Sequence, residues 1–265
     1  MPTSSAPWPY PRWIAHRGAG KLAPENTLAA FRLGASHGYR MFECDVKLSA
    51  DGVPFLLHDS TLERTTNGHG TAGELPWSAL SQLDAGNWHS RRFAGEPVPT
   101  LASVAGYCLA NGLMLNIEIK PTPGQEAETG RVVALAAQAL WDCPGAPLGS
   151  VCPPSPPLLT SFQPESLAAA QAAAPHLPRG LLLDTLWDGW LDVARRLGCV
   201  ALVCNHTLWN TDTVTTVQAA GLKALSYTVN SEPDAQRLLE LGTDGIITDR
   251  VDLFAPVSVG PGGQP

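Results

Sequence analysis

The sequence is short of basic charge. Its 265 residues carry 17 Lys and Arg against 24 Asp and Glu, a formal net charge of -7. That excludes a broad basic face for nucleic acid, although a local cationic site is still allowed. No apolar run approaches the roughly 20 residues that span a bilayer, so no stable membrane anchor is expected. The opening stretch, MPTSSAPWPYPRW, has neither a basic start nor an apolar middle. It reads as a short extended arm and not as a signal peptide. The six cysteines contain no CxxC pair. Cys44, Cys199 and Cys204 lie in apolar, strand-like runs, as buried reduced thiols of a cytoplasmic protein would. A Cys143–Cys152 bridge in a Pro-rich loop stays open. No GxGxxG follows the first apolar run, so a dinucleotide site has no support.

What is present suits a globular enzyme. Hydrophobic residues make up 44% of the chain, enough for a sizeable core. The length fits one large α/β barrel or two small domains. The stretch 41–59, MFECDVKLSADGVPFLLHD, reads as a hairpin, with Asp51-Gly52 turning between two apolar runs. Glu43 and Asp45 are two apart and share a strand face. The return arm brings His58 back toward them. Two carboxylates beside a histidine suit a hard metal ion next to a proton-transfer group; an ordinary solvated hairpin has the same pattern.

Regular alternation follows. Strands are expected at 12–15, 41–45, 113–120, 158–162, 180–184, 200–205, 223–230 and 244–249. Helices are expected from Pro24, at 100–111 behind a Thr100 cap, and at 125–141, 164–174, 187–197, 211–220 and 232–241. With the return arm at 53–57 the extended runs number nine, one too many for an eight-stranded barrel. The arm runs antiparallel and need not join the barrel. The other eight predict a (β/α)8 TIM-type barrel, with a doubly wound open sheet as the other solution. The single domain is expected over 1–255. A small cap is inserted at about 60–99, after the His58 arm, and 256–265 form a disordered tail.

Strand ends of such a barrel open on one face. The polar residues there are His16, Arg17, Glu43, Asp45, Glu118, Lys120, Ser161, Asp184, Asn205, His206, Asn230 and Asp249. Glu43, Asp45 and Glu118 offer only oxygen donors, which favours Mg²⁺ or Ca²⁺ over zinc. Arg17 and Lys120 beside that ion call for an anion as well, and a phosphate satisfies both. Without a metal, the two cations can instead pair with the carboxylates. His16 and His58 can supply a base and an acid. The set reads as metal-assisted cleavage of a phosphate ester.

HRG at 16–18, PENT at 24–27, ExD at 43–45, HD at 58–59, RTTNGHG at 64–70, EIK at 118–120, TVN at 228–230 and DGIITD at 244–249 together resemble the glycerophosphodiester phosphodiesterase family. The match runs through nearly the whole chain in order. The resemblance implies metal ligation by Glu43, Asp45 and Glu118. It implies catalysis by His16, favoured as base, and His58, favoured as acid. It also implies phosphate contacts from Arg17 and Lys120. Tyr227 stands where the family often has Trp, and with Phe162 it is expected to line the substrate pocket. The implied reaction splits a small-molecule glycerophosphodiester, such as glycerophosphocholine or glycerophosphoethanolamine, into glycerol 3-phosphate and an alcohol. The nucleophile is water or the substrate's own 2-hydroxyl. Two rivals remain: phospholipase D-like or lyase chemistry on intact lipids, and a catalytically inactive binding barrel. A homodimer is compatible with the sequence.

Overall fold

The computed structural model describes residues 8–142, 155–254 and 256. The Cys143–Cys152 pairing and all but one residue of the expected tail lie outside them. Nine strands are present: β1 (Trp13–Ala15), β2 (Met41–Leu48), β3 (Pro54–Leu56), β4 (Met114–Ile119), β5 (Leu158–Ser161), β6 (Arg179–Leu183), β7 (Ala201–Asn205), β8 (Lys223–Tyr227) and β9 (Gly245–Thr248). Eight are parallel neighbours in the order β1, β9, β8, β7, β6, β5, β4, β2, and a β1–β2 pairing at Ala15 and Phe42 closes the ring. The result is the expected closed barrel.

The ninth strand explains the surplus run. On one edge β2 pairs with β4 from Met41 to Val46. On the other it meets β1 only at Phe42 and then outruns it. β3 takes over that edge, antiparallel, with Val46 opposite Leu56. The Leu57 N–H donates to the Asp45 carbonyl at 3.1 Å, which carries the pairing up to His58.

Alternation sorts the barrel side chains. Phe42, Cys44, Val46 and Leu48 face outward and pack in one core with Phe31, Leu101, Val104 and Cys108. Phe31 lies on α1 (Leu28–Ser36), the others on α3 (Leu101–Ala110). Inward, Ile14, Met41, Leu158, Leu182, Val203, Leu225 and Ile247 form an apolar floor. Burying such a side chain contributes about 1.5–3 kcal/mol. Tyr10 closes the floor from below, and its hydroxyl donates to the Pro156 carbonyl at 2.8 Å. The arm is thus a plug from Trp8 onward. One step higher, inward positions turn polar: Glu43 and Asp45 on β2, Asn116 and Glu118 on β4, and Thr160 on β5.

Among the described residues, four of the eight α-helices start at side-chain caps. Thr100 accepts from the Ser103 N–H ahead of α3, as expected. The first helix differs. Pro24, Glu25 and Asn26 precede it, and Thr27 is the cap, accepting from the Ala30 N–H. Asn26 has a left-handed φ of 58° and cannot sit in a helical turn. Between β3 and α3 the chain builds a separate small core of Leu57, Leu62, Ala72, Leu80, Ala85 and Val98 against Phe55. It contains one short helix, α2 (Trp77–Leu80). Cys44, Cys108, Cys199 and Cys204 are buried and unpaired, and no helix among the described residues is long and apolar enough to cross a membrane.

Candidate active site

The site is built on the last turn of each strand. His16 and Arg17 leave β1 at a bend where Arg17 has a left-handed φ of 50°, a strained geometry for an arginine. Both side chains line the cavity at the barrel mouth. His16 Nδ1 lies 2.6 Å from Asp249 Oδ1, just past β9. The Asn230 amide donates to the other Asp249 oxygen at 2.8 Å and fixes that carboxylate in turn. The His16 Nε2 edge is 3.7 Å from Glu43 Oε2. Burial lowers the His16 pKa, but the Asp249 hydrogen bond and the Glu43 charge outweigh it and leave a net rise.

Glu43, Asp45 and Glu118 each offer a carboxylate oxygen, all within 4.8 Å of one another, and all three are buried. Burial and the Asp45 charge push Glu43 and Glu118 upward. Asp45 goes the other way. Burial opposes its charge, but Arg17 and Lys120 overcome it and hold Asp45 below the usual carboxylate range. Arg17 Nε is 3.1 Å and Lys120 Nζ 3.5 Å from it. The Asn26 side chain clamps it further, donating to Asp45 Oδ2 at 2.8 Å and accepting from the Asp45 N–H at 3.1 Å. Two oxygens, Glu43 Oε1 and Asp45 Oδ1, are buried without a hydrogen-bond partner. Buried acceptors are normally satisfied, so these two fit a hard divalent cation.

His58 arrives on the arm beyond β3. Its Nδ1 lies 2.7 Å from Asp59 Oδ1. Arg64, from the inserted segment, donates to both oxygens of Asp59 and both of Glu25. Glu25 also accepts from Arg17 at 2.8 Å. A chain of charges therefore runs from Arg17 through Glu25, Arg64 and Asp59 to His58. Burial lowers the His58 pKa, and Arg17 and Lys120 push the same way against Asp45 and Asp59. Each histidine has Nδ1 on a carboxylate, which fixes that nitrogen as the donor and leaves Nε2 for the interior.

These groups share a cavity of about 150 Å³ lined by His16, Arg17, Glu43, His58, Glu118, Lys120, Phe162 and Tyr227, among others. Phe162 and Tyr227 meet edge to face at 5.7 Å, and Lys120 Nζ sits 5.7 Å from the Phe162 ring centre. The Tyr227 hydroxyl donates to the Leu183 carbonyl at 3.1 Å, which fixes the ring as a wall. A larger cavity of about 590 Å³ opens at the opposite end of the barrel, around Trp8, Tyr10 and Lys223. None of the carboxylates or histidines just described reaches it.

The glycerophosphoryl diester phosphodiesterase family profile matches residues 16–253. The chain belongs to that family. It is similar to a glycerophosphodiester phosphodiesterase of Caldanaerobacter subterraneus subsp. tengcongensis, 33% identical over 89% of this chain and 93% of the relative. A phosphodiesterase of Oleispira antarctica, solved in complex with the product sn-glycerol-3-phosphate, superposes with a TM-score of 0.82. It is 34% identical and the match covers 90% of this chain and 93% of that one. The glycerophosphodiester phosphodiesterase of Agrobacterium tumefaciens gives a TM-score of 0.73 at 29% identity, over 92% and 98% of the two chains. As a member of this family the protein is a phosphodiester hydrolase.

In this glycerophosphodiester phosphodiesterase barrel, all nine residues singled out in the sequence come together. His16, Arg17, Glu43, His58, Glu118, Lys120, Phe162 and Tyr227 line one cavity, and Asp45 lies against it. His206 does not join them; it pairs with Asp234. Trp88 of the insertion is 40% exposed and Phe93 packs on the outer core, so neither lines the cavity. Sequence reasoning placed Asn230 and Asp249 at strand ends and Glu25, Asn26 and Arg64 in motifs but gave none of them a role: Asp249 and Asn230 stand behind His16, Asn26 behind Asp45, and Glu25 with Arg64 behind Arg17 and His58. Asp249 had a signal. The first and last strands of a closed barrel are neighbours, so the polar ends of β1 and β9 must meet.

Proposed function

We propose that the enzyme hydrolyses glycerophosphodiesters, such as glycerophosphocholine and glycerophosphoethanolamine, to glycerol 3-phosphate and a free alcohol. It would use a divalent cation, Mg²⁺ or Ca²⁺, held by Glu43, Asp45 and Glu118. The observation that carries this is the pair of buried carboxylate oxygens without hydrogen-bond partners, beside a cavity lined by two histidines whose Nδ1 atoms are each fixed by a carboxylate. Such a cation supplies charge neutralisation at the phosphoryl oxygens. The remaining chemistry belongs to the chain.

Arg17 and Lys120 take phosphate oxygens that face away from the carboxylates. Both now rest on Asp45, 3.1 and 3.5 Å away, so an incoming phosphate exchanges one anionic partner for another. His16 Nε2 removes the proton from the nucleophile, either water or the substrate's 2-hydroxyl. Asp249, hydrogen-bonded at Nδ1, stabilises the imidazolium that forms. His58 Nε2 gives a proton to the departing alcohol. In the free site its pKa is lowered, but the diester's negative charge beside it pushes the other way and favours the protonated form. Phe162 and Tyr227 form the wall against which the organic part of the substrate lies. The unpaired cysteines among the described residues, Cys44, Cys108, Cys199 and Cys204, agree with a cytoplasmic setting.

The test is turnover of water-soluble glycerophosphocholine by the chelator-treated enzyme, with Mg²⁺, Ca²⁺ or Mn²⁺ restored in turn. Activity should return with an oxygen-loving ion and stay low on micellar phospholipid. His16→Ala and His58→Ala should each lose most of it, and an activated leaving group should rescue only the variant lacking the acid. No turnover of any glycerophosphodiester with any of the three ions would sink the proposal, as would full activity in either histidine variant.

A further inference from the structure

A second cavity, about 180 Å³, adjoins the first. The two share His58, Glu118, Lys120 and Phe162; His16 borders only the first. Phosphoryl transfer places attacking and leaving oxygens roughly in line, on opposite sides of phosphorus. If His16 serves the nucleophile, the attacking oxygen, that of water or of the substrate's 2-hydroxyl, lies on the His16 side. The departing alcohol then points past His58 into the second cavity.

Lys47 makes that cavity selective. It is two residues beyond Asp45 on β2, on the same inward face, and is 1% exposed. Its ammonium donates to the Lys120 carbonyl at 3.2 Å. Lys120 and Lys223 have carboxylates in ion-pair contact, but among the described residues Lys47 has none within 4.0 Å; Asp45, Glu118 and Asp59 act on it only from farther away. Buried charges are ordinarily paired. An ammonium has three donors, so two remain for a ligand. The one carboxylate of the cavity outside the metal-binding trio is Glu126, which is half-buried and already accepts from the Gly124 N–H at 3.0 Å. Ser60, Ser161 and Gln163 complete the polar lining.

We infer that the second cavity holds the leaving alcohol, and that Lys47 selects alcohols with oxygen acceptors, such as a hydroxyl or a carboxylate, over a trimethylammonium group. The inference rests on the proposed hydrolysis and names the head group that reaction releases. Glycerol and serine head groups offer Lys47 an acceptor. A choline head group offers none and brings a positive charge toward Lys47 and Lys120.

The experiment compares kcat/KM for glycerophosphoglycerol, glycerophosphoserine and glycerophosphocholine in the wild-type enzyme and in Lys47→Met and Lys47→Gln. The wild type should favour the first two over the choline ester by about tenfold, as expected for one hydrogen bond to a charged group. Both variants should lose that preference. Competitive inhibition by glycerol 3-phosphate, which occupies the first cavity, separates selection from structure: its Ki should stay within about twofold. A wild type that favours choline, a preference that survives in both variants, or a Ki that rises with the loss would overturn the inference while leaving the hydrolase reading intact. Absence of turnover on all three esters would overturn both.

Discussion

Asn26 offers a sharp test of how the acidic cluster is held. It is 3% exposed, left-handed at a φ of 58°, and clamps Asp45 with a donor at 2.8 Å and an acceptor at 3.1 Å. Asn26→Asp keeps the size, the acceptor and the tolerance for positive φ. It changes one thing: the donor facing Asp45 Oδ2 becomes an oxygen. Losing a hydrogen bond to a charged group costs about 1.5–3 kcal/mol, and two carboxylates at that distance repel as well. The cheapest escape is for the new carboxyl to keep its proton, because Arg17 and Lys120 hold Asp45 ionised. Its folded pKa then rises above its unfolded value of about 3.9. For a folded pKa raised in this way, the deficit is small near and below the unfolded pKa. It grows as pH climbs toward the folded value and is constant beyond it. A rise of roughly 2.5 units corresponds to about 3.5 kcal/mol at about pH 8 and about 1 kcal/mol at about pH 4.5. Urea denaturation of wild type and variant in chelator at those two pH values measures both numbers. A deficit equal at the two pH values, or below about 1 kcal/mol at the higher one, would refute the clamp.

Two further outcomes follow from the same shell. Arg64→Ala removes the group that ties Asp59 to Glu25; steady-state kinetics should show kcat down about tenfold with KM changed less than about threefold, and Lys should restore little because it lacks the planar fork. Gly20→Ala places a Cβ 2.1 Å from the Asp249 carbonyl oxygen at a φ of 54°, so the bend carrying His16 must shift; thermal unfolding should fall by at least about 4 °C, as for a loss of about 2 kcal/mol in a chain of this size.

The barrel was legible because its signals are periodic. Strand and helix runs alternate at fixed spacing, and the extra run at 53–57 follows an Asp-Gly turn that only a hairpin explains. The cavity residues were legible because each sits at a strand end, where one topological rule places them on a common face. Helix ends were less so. Pro24-Glu25-Asn26 has the composition of a helix start, with Pro and an acid in the first turn, yet Thr27 is the cap. The reason is tertiary: Glu25 is drawn to Arg17 and Arg64, and Asn26 to Asp45. No local pattern announces a contact with a strand that comes nineteen residues later. Lys47 was hidden for a similar reason. A lysine in a strand normally reads as a solvated residue; that it is buried follows only from β2 outrunning β1 and receiving β3 on that edge.

That one mismatch in strand length shapes the site. Glu43 and Asp45 lie where β2 is paired with β4, so their carboxylates ride on barrel backbone and their spacing is set by sheet geometry. His58 comes from outside the ring, on the end of a three-residue strand. Its position depends on Leu57 hydrogen-bonding Asp45 and on Arg64 stapling Asp59 to Glu25. The acidic trio is therefore preorganised by the fold, whereas the second histidine is preorganised by a salt-bridge staple that the inserted segment supplies. On the proposed mechanism, substitutions in the insertion should for this reason act on proton transfer through His58 before they act on cation affinity. The two proposed roles are separable here because two different kinds of backbone support hold the residues assigned to them.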